Sequence, residues 1–349
     1  MAMQRPFARP VRRWACALGA LCGLWVSVAH AQLAGSGAAP WPSASDGLHD
    51  ARAWLARSHE AAARRNYQGV LVMSAGGQVS SSRVAHFVEG NLQAERIDAL
   101  DGEARGMLRL NDVVHTLWPR AHVAVVEQRD VRASFPSLFS GSERRVLDWY
   151  ELKPVGVDRV AGFDADVVLL KARDGWRFSQ RLWAERQSGL LLRIDTLGSN
   201  GQVLESSAFS ELQMDVKPQV DAVQQALRRL DGYRVIRPAV LPASLEGDGW
   251  QVVNLPAGFR EVQCARRTLG PPGDPRAPVV LQTIFSDGLT HVSLFIEPFQ
   301  LDRHQAQTSA ALGATHTLMV QRDRQWITVM GDVPFETLQR FVEALVRRR

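Results

Sequence analysis

The sequence predicts an α+β protein built on two antiparallel sheets, and three observations carry that prediction. Helical spacing of apolar residues occurs in only a few places, near residues 46–65, 219–230 and 334–347. From Tyr67 to Met214 the period changes to two, with tight turns between the alternating runs. A second, shorter block of alternating runs begins near Trp250 and ends on the last helical pattern.

The first helix is expected from about Asp46 to Arg65. Ser45 or Asp46 can cap it, and Leu48, Ala51, Leu55 and Ala62 form one apolar stripe. The large block then alternates through Val70–Met73, Val84–Val88, Val113–Trp118, Val123–Glu127, Val167–Lys171, Trp176–Ala184, Leu190–Leu197 and Val203–Glu211. Ala75-Gly76-Gly77, Glu89-Gly90-Asn91, Asp174-Gly175, Gln187-Ser188-Gly189 and Ser199-Asn200-Gly201 separate the runs. Such residues tolerate the positive φ of hairpin turns, so successive strands should be antiparallel neighbours. One stretch, Arg129–Arg145, breaks the rhythm. Its Ser134-Phe135-Pro136-Ser137-Leu138-Phe139-Ser140-Gly141 core is too interrupted for a strand and too apolar for an idle loop.

The large block ends at Lys217-Pro218. A short helix over 219–230 then presents Val220, Val223, Leu227 and Leu230 on one face, and Arg237-Pro238 and Leu241-Pro242 mark a linker. The smaller block should hold strands near 251–254, 259–267, 279–286, 290–297, 315–321 and 325–330, then a helix from Pro334 to Arg347. Asp287-Gly288 turns the central hairpin, and the four prolines between Gly270 and Pro278 demand a loop.

The first thirty-one residues read as a secretory signal peptide. Arg5, Arg9, Arg12 and Arg13 precede an uncharged apolar run from Trp14 to Val28, and Ala29-His30-Ala31 supplies the cleavage site, with the cut after Ala31. The run is shorter than the ~20 residues of a membrane span. Leu21 before Cys22 is too large for lipoprotein processing. Cleavage leaves 318 of the 349 residues and lowers the formal charge from +5 to about +1, so the alkaline composition does not argue for nucleic-acid binding. Cys264 is then the one remaining cysteine, which excludes an intrachain disulfide framework. The expected organisation is a signal peptide (1–31), a flexible lead-in (32–45), a large domain (46–217), a linker with a short helix (218–248) and a smaller domain (249–349).

Motifs of catalysis are missing. The sequence has no HExxH, CxxC, GxSxG, P-loop or GxGxxG, and its histidines lack metal-ligand company, so neither cofactor nor metal is expected. Ser286, Asp287, Gly288 and Leu289 read as a hairpin turn. A hydrolase with dispersed catalytic residues ranks third among function classes, behind a regulatory binding protein and a lipid or lipoprotein carrier.

Several segments carry a family resemblance. Asn66-Tyr67-Gln68-Gly69, Ser82-Arg83-Val84-Ala85-His86, Glu95-Arg96, Leu100-Asp101-Gly102 and Arg109-Leu110-Asn111-Asp112 resemble the first half of the MucB/RseB family. Asp158-Arg159-Val160-Ala161-Gly162, Trp176-Arg177-Phe178, Leu182-Trp183 and Gly189-Leu190-Leu191-Leu192 resemble its middle. Ser286-Asp287-Gly288-Leu289 followed by Val292–Pro298 resembles the hairpin of its smaller domain. Phe163 and the loop 270–278 depart from the pattern. The resemblance implies a LolA-like antiparallel half-barrel with covering helices, then a smaller sheet with one terminal helix. It also implies a periplasmic negative regulator of sigma-E-type envelope-stress signalling. Such a protein binds the periplasmic domain of a membrane-spanning (RseA/MucA-like) anti-sigma factor, shields it from site-1 proteolysis, and is released by lipid, lipopolysaccharide fragments or mislocalised lipoprotein.

An open half-barrel has an inner face that one helix cannot cover. Alternation picks Val72, Phe87, Leu117, Val125, Leu169, Phe178, Leu182, Leu192 and Ile194 as inward residues able to line a lipid pocket. Each taken singly also suits a closed core. Phe135, Leu138 and Phe139 are the expected gate or partner contact. Homo-oligomerisation is left open.

Overall fold

The computed structural model describes residues 44–128, 135–138, 143–269, 277–304 and 308–348. The expected signal peptide, nearly all of the lead-in, Phe139, and residues 270–276 of the proline-rich loop lie outside them.

Helix α1 (Ala44–Arg64) opens the described chain. From Asp50 onward its buried positions are Ala51, Trp54, Leu55, Ser58, Ala61 and Ala62, a spacing that keeps one stripe on the protein and the arginines outside. A meander follows: β1 (Tyr67–Ala75), β2 (Gln78–Glu89), β3 (Leu92–Ala99), β4 (Gly106–Leu110), β5 (Val113–Trp118) and β6 (Val123–Gln128). After α2 (Glu143–Trp149) a second meander runs through β7 (Tyr150–Val160), β8 (Phe163–Ala172), β9 (Ser179–Glu185), β10 (Leu191–Leu197) and β11 (Val203–Met214). β1 pairs with β11, which joins the two meanders into one twelve-stranded sheet. Helix α3 (Val220–Arg228) and β12 (Arg234–Ile236) complete it, with β12 lying parallel to β6. The sheet order starts at β12 and ends at β7, so the large sheet stays open.

β13 (Val240–Pro242) crosses to the second sheet, which also contains β15 (Arg260–Thr268), β16 (Val279–Ser286), β17 (His291–Pro298), β18 (Thr308–Leu312), β19 (Thr315–Arg322) and β20 (Gln325–Gly331). Between β13 and β15, β14 (Trp250–Val252) pairs instead with β21 (Leu345–Arg347), the segment after α4 (Phe335–Ala344). The segment read as a linker therefore contributes an edge strand to each sheet. The result is an α+β architecture: a large open antiparallel sheet with helices, and a smaller antiparallel sheet with a terminal helix.

Both faces of the large sheet are covered. On one, Trp54 and Leu55 of α1 and Val146 and Leu147 of α2 pack on Val168, Leu182 and Ile194, while Ala61 and Ala62 meet Tyr67, Leu71, Val84 and Phe209. On the other, Val220 and Val223 of α3 pack on Phe87, Ala94 and Leu108. The small sheet buries Leu294, Ile296, Ile327 and Val329 against Leu338 and Phe341 of α4.

Two expected elements are corrected. The strand predicted from Trp176 begins only at Ser179, because the Asp174 carboxylate accepts the Trp176 N–H at 3.0 Å and holds 174–178 in a bend. The final helix stops at Ala344 rather than Arg347. Arg322 Nη1 donates to the carbonyls of Val342 and Leu345 at 2.8 and 2.5 Å, satisfying the helix end, and the chain turns extended. Arg347 then stacks over the Trp250 ring at 4.9 Å.

Candidate functional site

The central hairpin of the small sheet does more than turn the chain. Its turn residue Asp287 is fully buried. One carboxylate oxygen accepts the backbone N–H groups of Leu289 and Thr290, at 2.8 and 2.9 Å, which shapes the turn. The other accepts Arg177 Nη1 at 2.8 Å and the Tyr150 hydroxyl at 3.1 Å, both from the large sheet's side of the molecule.

Arg177 is equally buried, and its other two nitrogens donate as well. Nε donates to Asp174 at 2.9 Å and Nη2 to the Ala257 carbonyl at 2.6 Å. The guanidinium also lies 4.9 Å from the Trp149 ring and 5.2 Å from the Phe259 ring. A buried guanidinium is tolerable only with its charge paired and its nitrogens hydrogen-bonded; here two carboxylates pair it and each nitrogen has an acceptor. Burial, reinforced by the Asp287 charge, raises the Tyr150 hydroxyl well above its ordinary titration range, so it stays a neutral donor. Gly258 sits at φ +93°, and a Cβ there would come within 2.5 Å of the Trp149 ring.

Further contacts join the two sheets. Thr337 Oγ1 donates to the Trp176 carbonyl at 2.9 Å, and Arg267 pairs with Glu127 at 2.7 Å. The β18–β19 turn rests on the β1–β2 turn, where a Cβ on Gly313 would lie 2.8 Å from that of Ala75. Asp287 has both oxygens occupied and no route to solvent, so this constellation holds geometry rather than performing acid–base chemistry. Arg177, Tyr150 and Asp174 were not singled out from sequence. The available signal was an arginine embedded in Trp176-Arg177-Phe178 just after a tight turn.

The expected pocket residues do not share one surface. Val72 pairs opposite Ser81, which stands on the same face of β2 as Phe87; pairing through Ala94 and Leu110 carries that face to Leu117. Leu182 pairs through Ile194 and Ser207 to Met73, which points opposite to Val72. Val125 belongs to the Leu182 and Ile194 side, and Leu169 to the Val72 side. Leu182 and Leu192 are fully buried; Phe87, Val125, Phe178 and Ile194 are nearly so; Val72, Leu117 and Leu169 are half-buried. Phe178 precedes β9 and reaches the small sheet, 5.9 Å from the His316 ring. Phe135 and Leu138 are half-buried against the core beneath α1 and α2, with the Phe135 ring 5.6 Å from that of Phe209.

A cleft opens elsewhere. A space of about 450 Å³ separates α3 from β1–β3 and β11, floored by Val70, Ala85 and Phe87 and rimmed by Arg83, Arg96 and Glu211. Of the nine expected residues it holds Phe87. On the opposite face Tyr67 stacks on His86 at 5.0 Å, and His86 Nδ1 lies 2.8 Å from the Arg65 carbonyl. Beside them Arg109 pairs with Glu95 at 2.5 Å. Burial, aided by the Arg109 charge, lowers the His86 pKa despite that carbonyl and Glu95. Among the described residues no group of three or more His, Cys, Asp or Glu could hold a metal ion, and no helix is long and apolar enough to cross a membrane.

This two-sheet arrangement has close counterparts. A family model for the MucB/RseB N-terminal domain matches residues 50–227, and one for the MucB/RseB C-terminal domain matches 244–346. The chain is 29% identical over 300 residues to the sigma factor AlgU regulatory protein MucB of Pseudomonas aeruginosa, covering 83% of this chain and 89% of that protein. It is 26% identical over 268 residues to the sigma-E factor regulatory protein RseB of Escherichia coli K12, covering 76% and 80%. MucB in the Pseudomonas aeruginosa MucA/MucB complex superposes with a TM-score of 0.66 at 26% identity, over 86% of this chain and 99% of that one. MucB solved in complex with MucA(peri) gives 0.65 over 86% and 100%. With both family models matched in order, one on the large sheet and one on the small, the chain belongs to the MucB/RseB family.

Proposed function

We propose that the protein is an exported negative regulator of sigma-E-type envelope-stress signalling. In this reading it binds the periplasmic domain of a membrane-spanning anti-sigma factor and shields it from the first protease of a cleavage cascade. The supporting observation is coverage: the match extends across both sheets to a relative whose solved complex contains MucA. A carrier of lipid or lipoprotein would need only the large sheet, whereas here Asp287 and Arg177 lock a second sheet onto it. The arginine-rich leader is proposed to direct export and to be removed after Ala31.

Release by lipid follows from the apolar layer beneath α1 and α2. Phe135 and Leu138 cover that layer and are themselves only half-buried, so an acyl chain can compete for their place beside Leu182 and Ile194. Burial of acyl chain yields up to ~0.8 kcal/mol per methylene. Swinging a two-state equilibrium from 1:99 to 99:1 takes ~5.5 kcal/mol, which roughly seven methylenes could supply before ordering costs. The lipid must bind the partner-free form more tightly, since equal binding to both forms shifts nothing.

Binding of the purified mature chain to an anti-sigma periplasmic domain, measured with and without short-chain lipopolysaccharide or phospholipid, tests this reading. A stable complex that slows proteolysis of the partner and dissociates on adding lipid is expected. Lipid binding with no partner complex would favour the carrier instead.

A further inference from the structure

The sheet edges of this molecule are not equally protected. β7, at one end of the large sheet, carries Glu151, Lys153, Pro154, Asp158 and Arg159 and a register shift between Pro154 and Gly156. β12 and β13 are three residues long, and β13 ends in Pro242. Charges, proline, irregular register and shortness are the devices that keep an edge from pairing with another chain. β18 has none of them. Its sequence, Thr-Ser-Ala-Ala-Leu, is uncharged and regular in register over all five residues, and every one is exposed.

The backbone of that edge is set by its turn. Gly313, at φ +60°, opens a two-residue turn that makes Leu312 and Thr315 the closing pair of the hairpin. Hydrogen-bonded and non-bonded pairs alternate from there, so Ser309 and Ala311 direct their N–H and C=O groups away from β19.

Two more observations specify what would pair with them. On the α4 side, Leu294, Ile327 and Val329 are fully buried, but Leu318 and Val320 of β19 are only half-covered, and Leu318 has just Ser309 of β18 opposite it. At the turn end, Glu205 accepts the Ala314 N–H and Asp332 accepts the Thr315 hydroxyl at 2.5 Å. Neither carboxylate has an ion-pair partner among the described residues.

We propose that the outer edge of β18 receives an extended segment of the anti-sigma partner as an additional strand of the small sheet. Apolar side chains at alternate positions of that segment would cover Leu318 and Val320, and a basic residue at its turn end would reach toward Glu205, with Asp332 adding to the negative charge there. Main-chain pairing supplies the attachment, and the alternate pockets supply the selectivity. This assignment rests on the partner reading above and locates the contact within it.

The test compares the affinity of the mature full chain and its variants for the purified periplasmic domain of the host's own anti-sigma factor. Ala311→Pro removes an outward N–H without touching the β18–β19 ladder, and Ser309→Lys puts a charge where the added strand's apolar residues would sit. Each should weaken binding at least tenfold with an unchanged melting temperature. Val157→Lys, on the protected β7 edge, should bind as wild type. If Ala311→Pro fails to fold, Ser309→Lys decides alone. Wild-type affinity in a folded edge variant, or an equal loss in Val157→Lys, overturns the edge assignment and leaves the partner reading standing. Failure of the wild-type chain to bind overturns both.

Discussion

Asp287 and Arg177 are both withdrawn from water; Asp287 has Arg177 as its charge partner, whereas Arg177 also pairs with Asp174 at 2.9 Å. Removing one partner of a buried pair typically costs ~3–5 kcal/mol, mostly through the charge left behind. Arg177→Met, which strands the Asp287 carboxylate, should therefore lower unfolding stability by about that much in urea denaturation and Asp287→Asn by less, since Asp174 still pairs Arg177, while Tyr150→Phe, which deletes one neutral donor, should cost only ~1 kcal/mol. His86 gives a second residue-scale expectation. Its pKa is below the ordinary 6.5 in the folded chain, so the unfolded chain binds the extra proton first. Stability from this group is full above pH 6.5 and is lost as pH falls below it. Denaturation midpoints should drop between pH 7.5 and 5.5, and a His86→Gln variant should show a shallower drop. An equal slope in both would place the titration elsewhere. Cys264, with its thiol pushed up to about 11 by burial and by Glu261, should react slowly with maleimide at neutral pH.

Helices α1, α3 and α4 and most strands were legible from periodicity, because packing on one face imposes the 3.6 or 2.0 spacing directly, whereas the seven-residue α2 was missed. α1, α3, β5, β6, β10, β11, β16 and β17 fall where the pattern places them. β3, β4, β7 and β18 were missed: β3, β7 and β18 interrupt their apolar residues with charged, proline or small ones, and β4 is only five residues long. Alternation also found buried residues such as Leu182 and Phe87 without saying which shared a face. That depends on inter-strand register, and irregularities intervene: opposite Val70 and Leu71, β11 carries the extra residue Ser210. Gly69 stands beside this irregularity, and a Cβ there would lie 2.1 Å from the Glu211 carbonyl oxygen. Gly69→Ala should strain the β1–β11 pairing that joins the two meanders, with a loss of ~1–3 kcal/mol in the same denaturation assay. Leu182→Ala should cost ~2–5 kcal/mol, as for a closed core position. A much smaller loss would mean that its surroundings are already loosely filled.

At the scale of the whole molecule, the two sheets are held by an ion pair, the Thr337 hydrogen bond, the Arg267–Glu127 pair and the β18–β19 turn. The family was readable from ordered short segments, yet the residues joining the sheets were not, since Arg177 and Asp287 are 110 positions apart. The most direct measurement is calorimetric titration of the mature chain with the periplasmic domain of its host's anti-sigma factor. Saturable binding, abolished when an acyl-chain lipid is added, is the predicted result. Lipid binding without any complex, or no binding of either, would contradict the account.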